Sequence, residues 1–145
     1  MRTAIVTRAL DPIALLAEVA ADAHGATVLF LGTVRDVNAD RAVTGIEYAA
    51  YVPMAERELG AIVSEAADRF ATPAIVVEHR LGTLALGEAS VAIAVAHPRR
   101  AQAYEASRFV IEELKRRVPI WKREAYVDGT REWVDPAGRV RVGQP

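Results

Sequence analysis

From Ala89 to Ala96 the chain alternates large and small apolar residues, with Val91, Ile93 and Val95 on one side of an extended strand and Ala92, Ala94 and Ala96 on the other. Successive side chains of a strand point to opposite faces, so neither face of this one suits water. The fold must therefore cover both faces of a sheet here, and the alanine face leaves room for a helix to approach closely. His97-Pro98 breaks the strand. Arg99 to Val118 then reads as a long helix with Ala103, Ala106, Val110 and Leu114 toward the core. Pro119 ends that helix, because its ring disfavours helical backbone at Val118. Ile120 to Val127 returns as a strand, Asp128-Gly129 is a hairpin turn signal, and Thr130 to Val134 is the partner strand. Asp135-Pro136-Ala137-Gly138 leads to a short tail.

The first half supplies the remaining elements. Arg2 to Thr7 reads as a strand, and Asp11-Pro12 opens a helix whose apolar face is Ile13, Leu16 and Ala20 and whose end is Gly25. Ala26 to Val34 is an apolar strand closing on Gly32-Thr33-Val34-Arg35-Asp36. Asn38 to Arg41 is polar, exposed loop, and Val43 to Val52 is the strand that pairs back through it. After Pro53, the residues Ala55, Leu59, Ile62, Val63, Ala66 and Phe70 keep a helical stripe. Ala74 to His79 is a strand, followed by a turn-rich segment with Gly82 and Gly87. The order β-α-β-β-α-β-β-α-β-β, rich in hairpins, implies an α+β fold with a mixed, mostly antiparallel sheet and packed helices. With 145 residues and no repeat or linker, residues 1–145 are expected to form one domain.

Composition narrows the chemistry. There is no cysteine, hence no disulfide, thiolate metal site or cysteine nucleophile, and sulfur chemistry would need sulfur brought from outside. No apolar run is long enough for a membrane span, no signal-peptide core stands at the amino terminus, and the expected compartment is the cytoplasm. Residues 97–123 hold eight Lys or Arg against three Glu, about +5, leaving about −6 elsewhere within the net −1. A local concentration of this kind suits a phosphate, a carboxylate or an acidic tail better than nucleic acid, which usually meets a basic domain.

Of the 18 basic residues only Lys115 and Lys122 are lysines. Where a surface charge suffices the chain uses arginine, so two lysines around the Pro119 corner point to what an ammonium does and a guanidinium does not: shift its pKa and exchange a proton. The bland reading, two solvated charges left by chance, stands beside it. Arg99 and Arg100 occupy the first turn of a helix, where cations oppose the dipole unless an anion binds; solvent exposure is the alternative. Arg35 ends an apolar strand, a common place for site residues and equally for a loop arginine. Trp121 alternates away from Lys122 and is expected in the core. His24, His79 and His97 have no ligand spacing, so no metal is assigned, and neither a Gly-rich phosphate loop nor a nucleophile-elbow serine is present.

Three segments together resemble the MoaE-type large, catalytic subunit of molybdopterin synthase. They are Phe30-Leu31-Gly32-Thr33-Val34-Arg35, Tyr104-Glu105-Ala106, and above all Leu114-Lys115 followed by Val118-Pro119-Ile120-Trp121-Lys122-Arg123-Glu124. The resemblance implies an α/β hammerhead-type fold. It implies transfer of two sulfur atoms to cyclic pyranopterin monophosphate, forming the dithiolene of molybdopterin, with no cofactor. The sulfur would arrive as the C-terminal thiocarboxylate of a small ubiquitin-like sulfur-carrier subunit, in a heterotetramer built on a homodimer of large subunits.

Carried over by position, Arg35, Arg99, Arg100, Lys115 and Lys122 would line the pocket, with Thr33, Val34, Arg123 and Glu124 in the substrate-binding stretches. Lys115 and Lys122 would be catalytic, Lys122 toward the thiocarboxylate and Lys115 toward the pterin. Two departures stand out: Arg99 replaces the family's usual histidine, with His97 two residues earlier, and Thr33 stands where relatives often carry lysine. The rival expectation is a non-catalytic module holding a carboxylate-ended or phosphorylated partner in the same basic corner. A single-strand RNA binder is disfavoured by the few aromatics available for stacking. The Ala89–Ala96 strand and the C-terminal hairpin are the expected homodimer edges.

Overall fold

The computed structural model describes residues 1–141 and 145, and its elements form two sheets joined at a corner. The first sheet has the order β1-β5-β7-β2, from β1 (Arg2–Val6), β2 (Ala26–Thr33), β5 (Ile75–Arg80) and β7 (Ala89–His97). Only β1 and β5 run parallel; β5–β7 and β7–β2 are antiparallel. The second sheet has the order β10-β9-β8-β4-β3, with β3 (Val37–Asn38), β4 (Arg41–Ala50), β8 (Ile120–Tyr126), β9 (Arg131–Val134) and β10 (Val140–Arg141), while β6 (Gly82–Ala85) also pairs with β4. The mixed, mostly antiparallel α+β architecture is the one the sequence implies.

The alternation in β7 decides the layering. Val91, Ile93 and Val95 pack with Ile75 and Val77 under α2 (Val52–Phe70) and α3 (Arg100–Arg117), whose stripes Ala55, Leu59, Ile62, Val63, Ala66 and Ala106, Val110, Leu114 are buried there. Ala92, Ala94 and Ala96 face the other way, with Val76, against Leu15 and Val19 of α1 (Pro12–Val19). Burying each such aliphatic side chain contributes about 1.5–3 kcal/mol, so this double-faced core dominates the stability of the first sheet. Arg117 ties α3 to α2 through Glu58 and Glu65.

Several expectations are corrected. The buried face of α1 is Leu15 and Val19, while Ile13 is 72% exposed, and the helix stops at Val19 rather than Gly25. Nearly every residue of this short helix is apolar, so its spacing carries no phase. Strand β2 does not pair with β4; it pairs with β7, and β4 pairs with β3, β6 and β8. The expected loop at Asn38–Arg41 is a two-residue hairpin turn in which Ala39 and Asp40 both have positive φ, 49° and 63°. The turn-rich segment contains β6, and the tail contains β10. Because β7 lies between β5 and β2, it offers no edge to a second copy; β1 and β2 are the outer strands of that sheet.

The chain crosses between sheets at Leu81-Gly82. Leu81 N–H donates to the Val6 carbonyl at 2.7 Å, and Gly82 takes a φ of 98°, which an L side chain rarely adopts. Val34, Val43, Ile46, Tyr48, Leu81, Leu84 and Tyr126 fill the corner so formed. Among the described residues no helix is long and apolar enough to cross a membrane.

Candidate active site

Two adjoining cavities, of about 180 and 130 Å³, open where the sheets meet the end of α3, and Tyr48, Lys115 and Lys122 border both. The local sequence explains the convergence. Leu114 anchors the last turn of α3 in the core, Val118 turns extended (φ −76°, ψ 122°), and Pro119 hands the chain to β8, so Lys115 ends a helix while Lys122 starts a strand on the same side of the corner. Three cations, Lys115, Arg116 and Arg117, in the last turn of α3 also suit the negative end of its dipole.

Strand alternation then sorts β8. Lys122, Glu124 and Tyr126 share one face, opposite Tyr48, Ile46 and Val43 of β4. Glu124 is 2% exposed and is the hub of that face. Its carboxylate accepts from Asn38 Nδ2 and Tyr126 Oη, each at 2.7 Å, and lies 3.3 Å from Lys122 Nζ. Burial pushes its pKa up, but the hydrogen bonds from Tyr126 and Asn38 and the Lys122 charge together hold it below the usual carboxylate range. Glu124 is therefore an anion that fixes Lys122. Burial, then Glu124, pushes Tyr126 up to about 12, so the phenol keeps the proton it donates.

Lys115 has no carboxylate partner among the described residues. It keeps contact with solvent in the open clefts, yet the protein packed around it, and next the charge of Lys122, lower its pKa from the ordinary lysine value. Burial leads, and the neighbouring cation adds to it. His79 borders the same cavity from β5, 1% exposed, with its ring edge-on to Tyr48 at 5.3 Å. Burial pushes the Tyr48 phenol up. Arg35 and Thr33, both exposed, border the smaller cavity, and Arg35 Nη2 reaches Asn38 Oδ1 at 3.4 Å.

The other expected residues lie elsewhere. Val34 is 4% exposed in the corner core, its N–H bonded to the Glu88 carbonyl, and is a packing residue. Arg123 falls on the opposite face of β8, where it pairs with Glu47 and lies 4.9 Å over the Trp133 ring. Trp121, on that same face, is half-buried rather than core. Arg99 and Arg100 are exposed at the far end of α3, about 22 Å from Lys115 by helical rise, and their side chains make no ion pair among the described residues. His97 is buried beside them, its Nδ1 accepting the Arg99 N–H at 2.9 Å, so it braces the start of α3 and does not border the cleft of its own chain.

Asn38, Tyr48, His79 and Asp135 enter the site without a sequence signal of their own. Asp135 closes the larger cavity from the β9–β10 turn, its carboxyl held down to about 2 by the Arg139 N–H and the Arg139 and Arg141 guanidiniums. Strand alternation puts Tyr48 on the same face of β4 as Ile46, and that is the one local signal of its direction. No group of three or more His, Asp or Glu suited to a metal is found among the described residues.

The cleft and fold together define a two-sheet α+β protein with a lysine-lined corner. The family model described as MoaE protein matches residues 5–117, and the chain belongs to the MoaE family. A protein of Aspergillus fumigatus called molybdopterin synthase catalytic subunit is 42% identical over 135 residues, 93% of this chain and 72% of that one. The crystal structure of molybdopterin synthase from Staphylococcus aureus superposes with a TM-score of 0.81 at 34% identity, covering 89% of this chain and 93% of that chain. A complex of subunits 1 and 2 of molybdopterin-converting factor from Helicobacter pylori gives 0.70 at 27% identity, covering 89% and 87%.

Proposed function

We propose that this protein is a catalytic subunit of molybdopterin synthase, a sulfurtransferase of molybdenum cofactor biosynthesis. It converts cyclic pyranopterin monophosphate to molybdopterin, with sulfur from the C-terminal thiocarboxylate of a small ubiquitin-like subunit. The observation that carries this reading is the meeting of Lys115 and Lys122, seven residues apart, in one cleft of a MoaE-family fold. The named relatives and the two-subunit Helicobacter complex support the small-subunit partner.

Lys122, fixed by Glu124, receives the thiocarboxylate, and Lys115, lacking a counter-charge, exchanges protons during sulfur addition and water loss. Arg35 and Thr33 hold the pterin's phosphate side. Arg99 and Arg100 reach this cleft only if a second copy presents the start of its α3, which is consistent with a homodimer at the centre of a heterotetramer. The chain is read as a single domain working in the cytoplasm. The test is incubation with thiocarboxylated small subunit and cyclic pyranopterin monophosphate, followed by mass analysis of the pterin. Gain of two sulfur atoms is expected; a pterin of unchanged mass, with the small subunit bound, would favour the non-catalytic module.

A further inference from the structure

His79 has no task in the scheme above, although it forms part of the inner wall of the cleft. It is 1% exposed and borders the same cavity as Tyr48, Lys115 and Lys122. Its Nδ1 lies 3.0 Å from the Arg80 carbonyl, which can only accept, so the proton sits on Nδ1 and Nε2 keeps its lone pair. The edge-on contact with Tyr48, at 5.3 Å and 76°, holds the ring plane, and turning the ring over would forfeit a buried hydrogen bond. The Arg80 contact is the only hydrogen bond the ring makes among the described residues. Burial, then the Lys115 charge, lowers its pKa to about 4, so the ring is neutral at physiological pH.

We propose, on the reading that Lys115 exchanges protons in sulfur transfer, that His79 is its positioning residue: Nε2 accepts a hydrogen bond from the Lys115 ammonium and holds that amine at the inner wall of the cleft. A neutral acceptor orients the lysine without locking its proton, which a carboxylate in the same place would do. The other charged or titratable groups around Lys115 are already engaged or of like sign. Lys122 of β8 is a second cation, Glu124 is taken up by Lys122, Asn38 and Tyr126, and Asp135 by Arg139 and Arg141. Tyr48 of β4 is a phenol that burial keeps protonated, and Arg35 lies across the smaller cavity.

The two-lysine composition makes a direct test possible. Reductive methylation with ¹³C-formaldehyde labels only Lys115, Lys122 and the amino terminus, and a dimethylated lysine retains one N–H to donate. Lys115 should titrate below the ordinary lysine value. In His79→Phe its midpoint should fall by about one further pH unit, ten-fold in the protonation equilibrium, with Lys122 unmoved. In His79→Gln, which offers a neutral acceptor, it should return to within a few tenths of the parent. An unchanged Lys115 midpoint in folded His79→Phe overturns the proposal.

Should that variant not fold, the unmethylated parent, enriched in ¹⁵N, decides through its histidine ¹⁵N shifts. Nε2 of His79 must read as an unprotonated nitrogen at pH 7 and move with the Lys115 midpoint; a protonated or indifferent Nε2 overturns the proposal. In turnover, His79→Phe should lose about ten-fold in kcat with the pterin KM within about two-fold. A protein active in sulfur transfer whose Lys115 ignores His79 refutes this proposal alone. An inactive protein in which the coupling persists refutes only the sulfur-transfer reading.

Discussion

Replacing Glu124 by Gln keeps the shape of the side chain and removes its charge, which isolates what the buried carboxylate does. Asn38 Nδ2 and Tyr126 Oη both donate to it at 2.7 Å, and its side chain is 3% exposed. Both bonds end on Oε2, so the amide oxygen of Gln can keep both donors while its NH₂ faces Lys122, but each bond falls from one to a charged group, about 1.5–3 kcal/mol, to a neutral one, about 0.5–1.5 kcal/mol. The loss should therefore be about 2–3 kcal/mol. Lys122 adds little to that sum, since its side chain is 39% exposed and its pairing is screened by water. In melting temperature this corresponds to a drop of about 4–12 °C.

The pH dependence gives a second check. The folded pKa of Glu124 is depressed, so its contribution is present above the unfolded value of about 4.3 and is lost as pH falls through the folded value. The gap between parent and Glu124→Gln should be full at pH 7 and shrink below about pH 4, where the parent also carries a neutral side chain. Urea unfolding at a series of pH values, with m unchanged, measures it. A gap under about 0.5 kcal/mol at pH 7, or one that widens in acid, would refute the role given to this carboxylate.

Other outcomes follow from the same geometry. Arg35→Ala should weaken pterin binding by about 1.5–3 kcal/mol, read by titration calorimetry, with little change in unfolding midpoint because Arg35 is exposed. Ala39→Gly should stabilise the β3–β4 turn by about 0.5–1 kcal/mol, since Ala39 sits at φ 49°; a loss of stability in denaturant would contradict the hairpin assignment. Sedimentation should give a dimer at micromolar concentration, and Arg100→Ala should weaken pterin binding in that dimer, because its own α3 carries Arg100 away from its own Lys115. Full pterin affinity in Arg100→Ala would remove that arginine from the phosphate site.

Much of this was legible in local pattern. The two faces of β7, the stripes of α2 and α3 and the Pro119 corner are short-range properties, and they alone bring Lys115 and Lys122 to one end of α3. The pairing of β2 with β7 and of β4 with β8 joins segments about sixty to eighty residues apart, and nothing in either strand names its partner. The same long-range register seats Tyr48 opposite Lys122 and Ile46 opposite Glu124, and His79 arrives on a strand of the other sheet. These site residues had no motif to announce them. Arg99 and Arg123 lie apart from the lysines of their own chain for complementary reasons: one starts the helix that Lys115 ends, the other sits beside Lys122 on a strand that turns it to the opposite face.

The central claim is that Lys115 and Lys122 act as amines rather than as bare charges, and one measurement addresses it directly. Single-turnover sulfur transfer from preformed thiocarboxylate should be run on Lys115→Arg and Lys122→Arg, beside the affinity of each for the small subunit. A guanidinium keeps the charge but cannot exchange a proton near neutral pH, so each variant should fold and bind its partner yet lose about 10²–10⁴ in rate. Turnover of both variants within a few-fold of the parent would contradict the account.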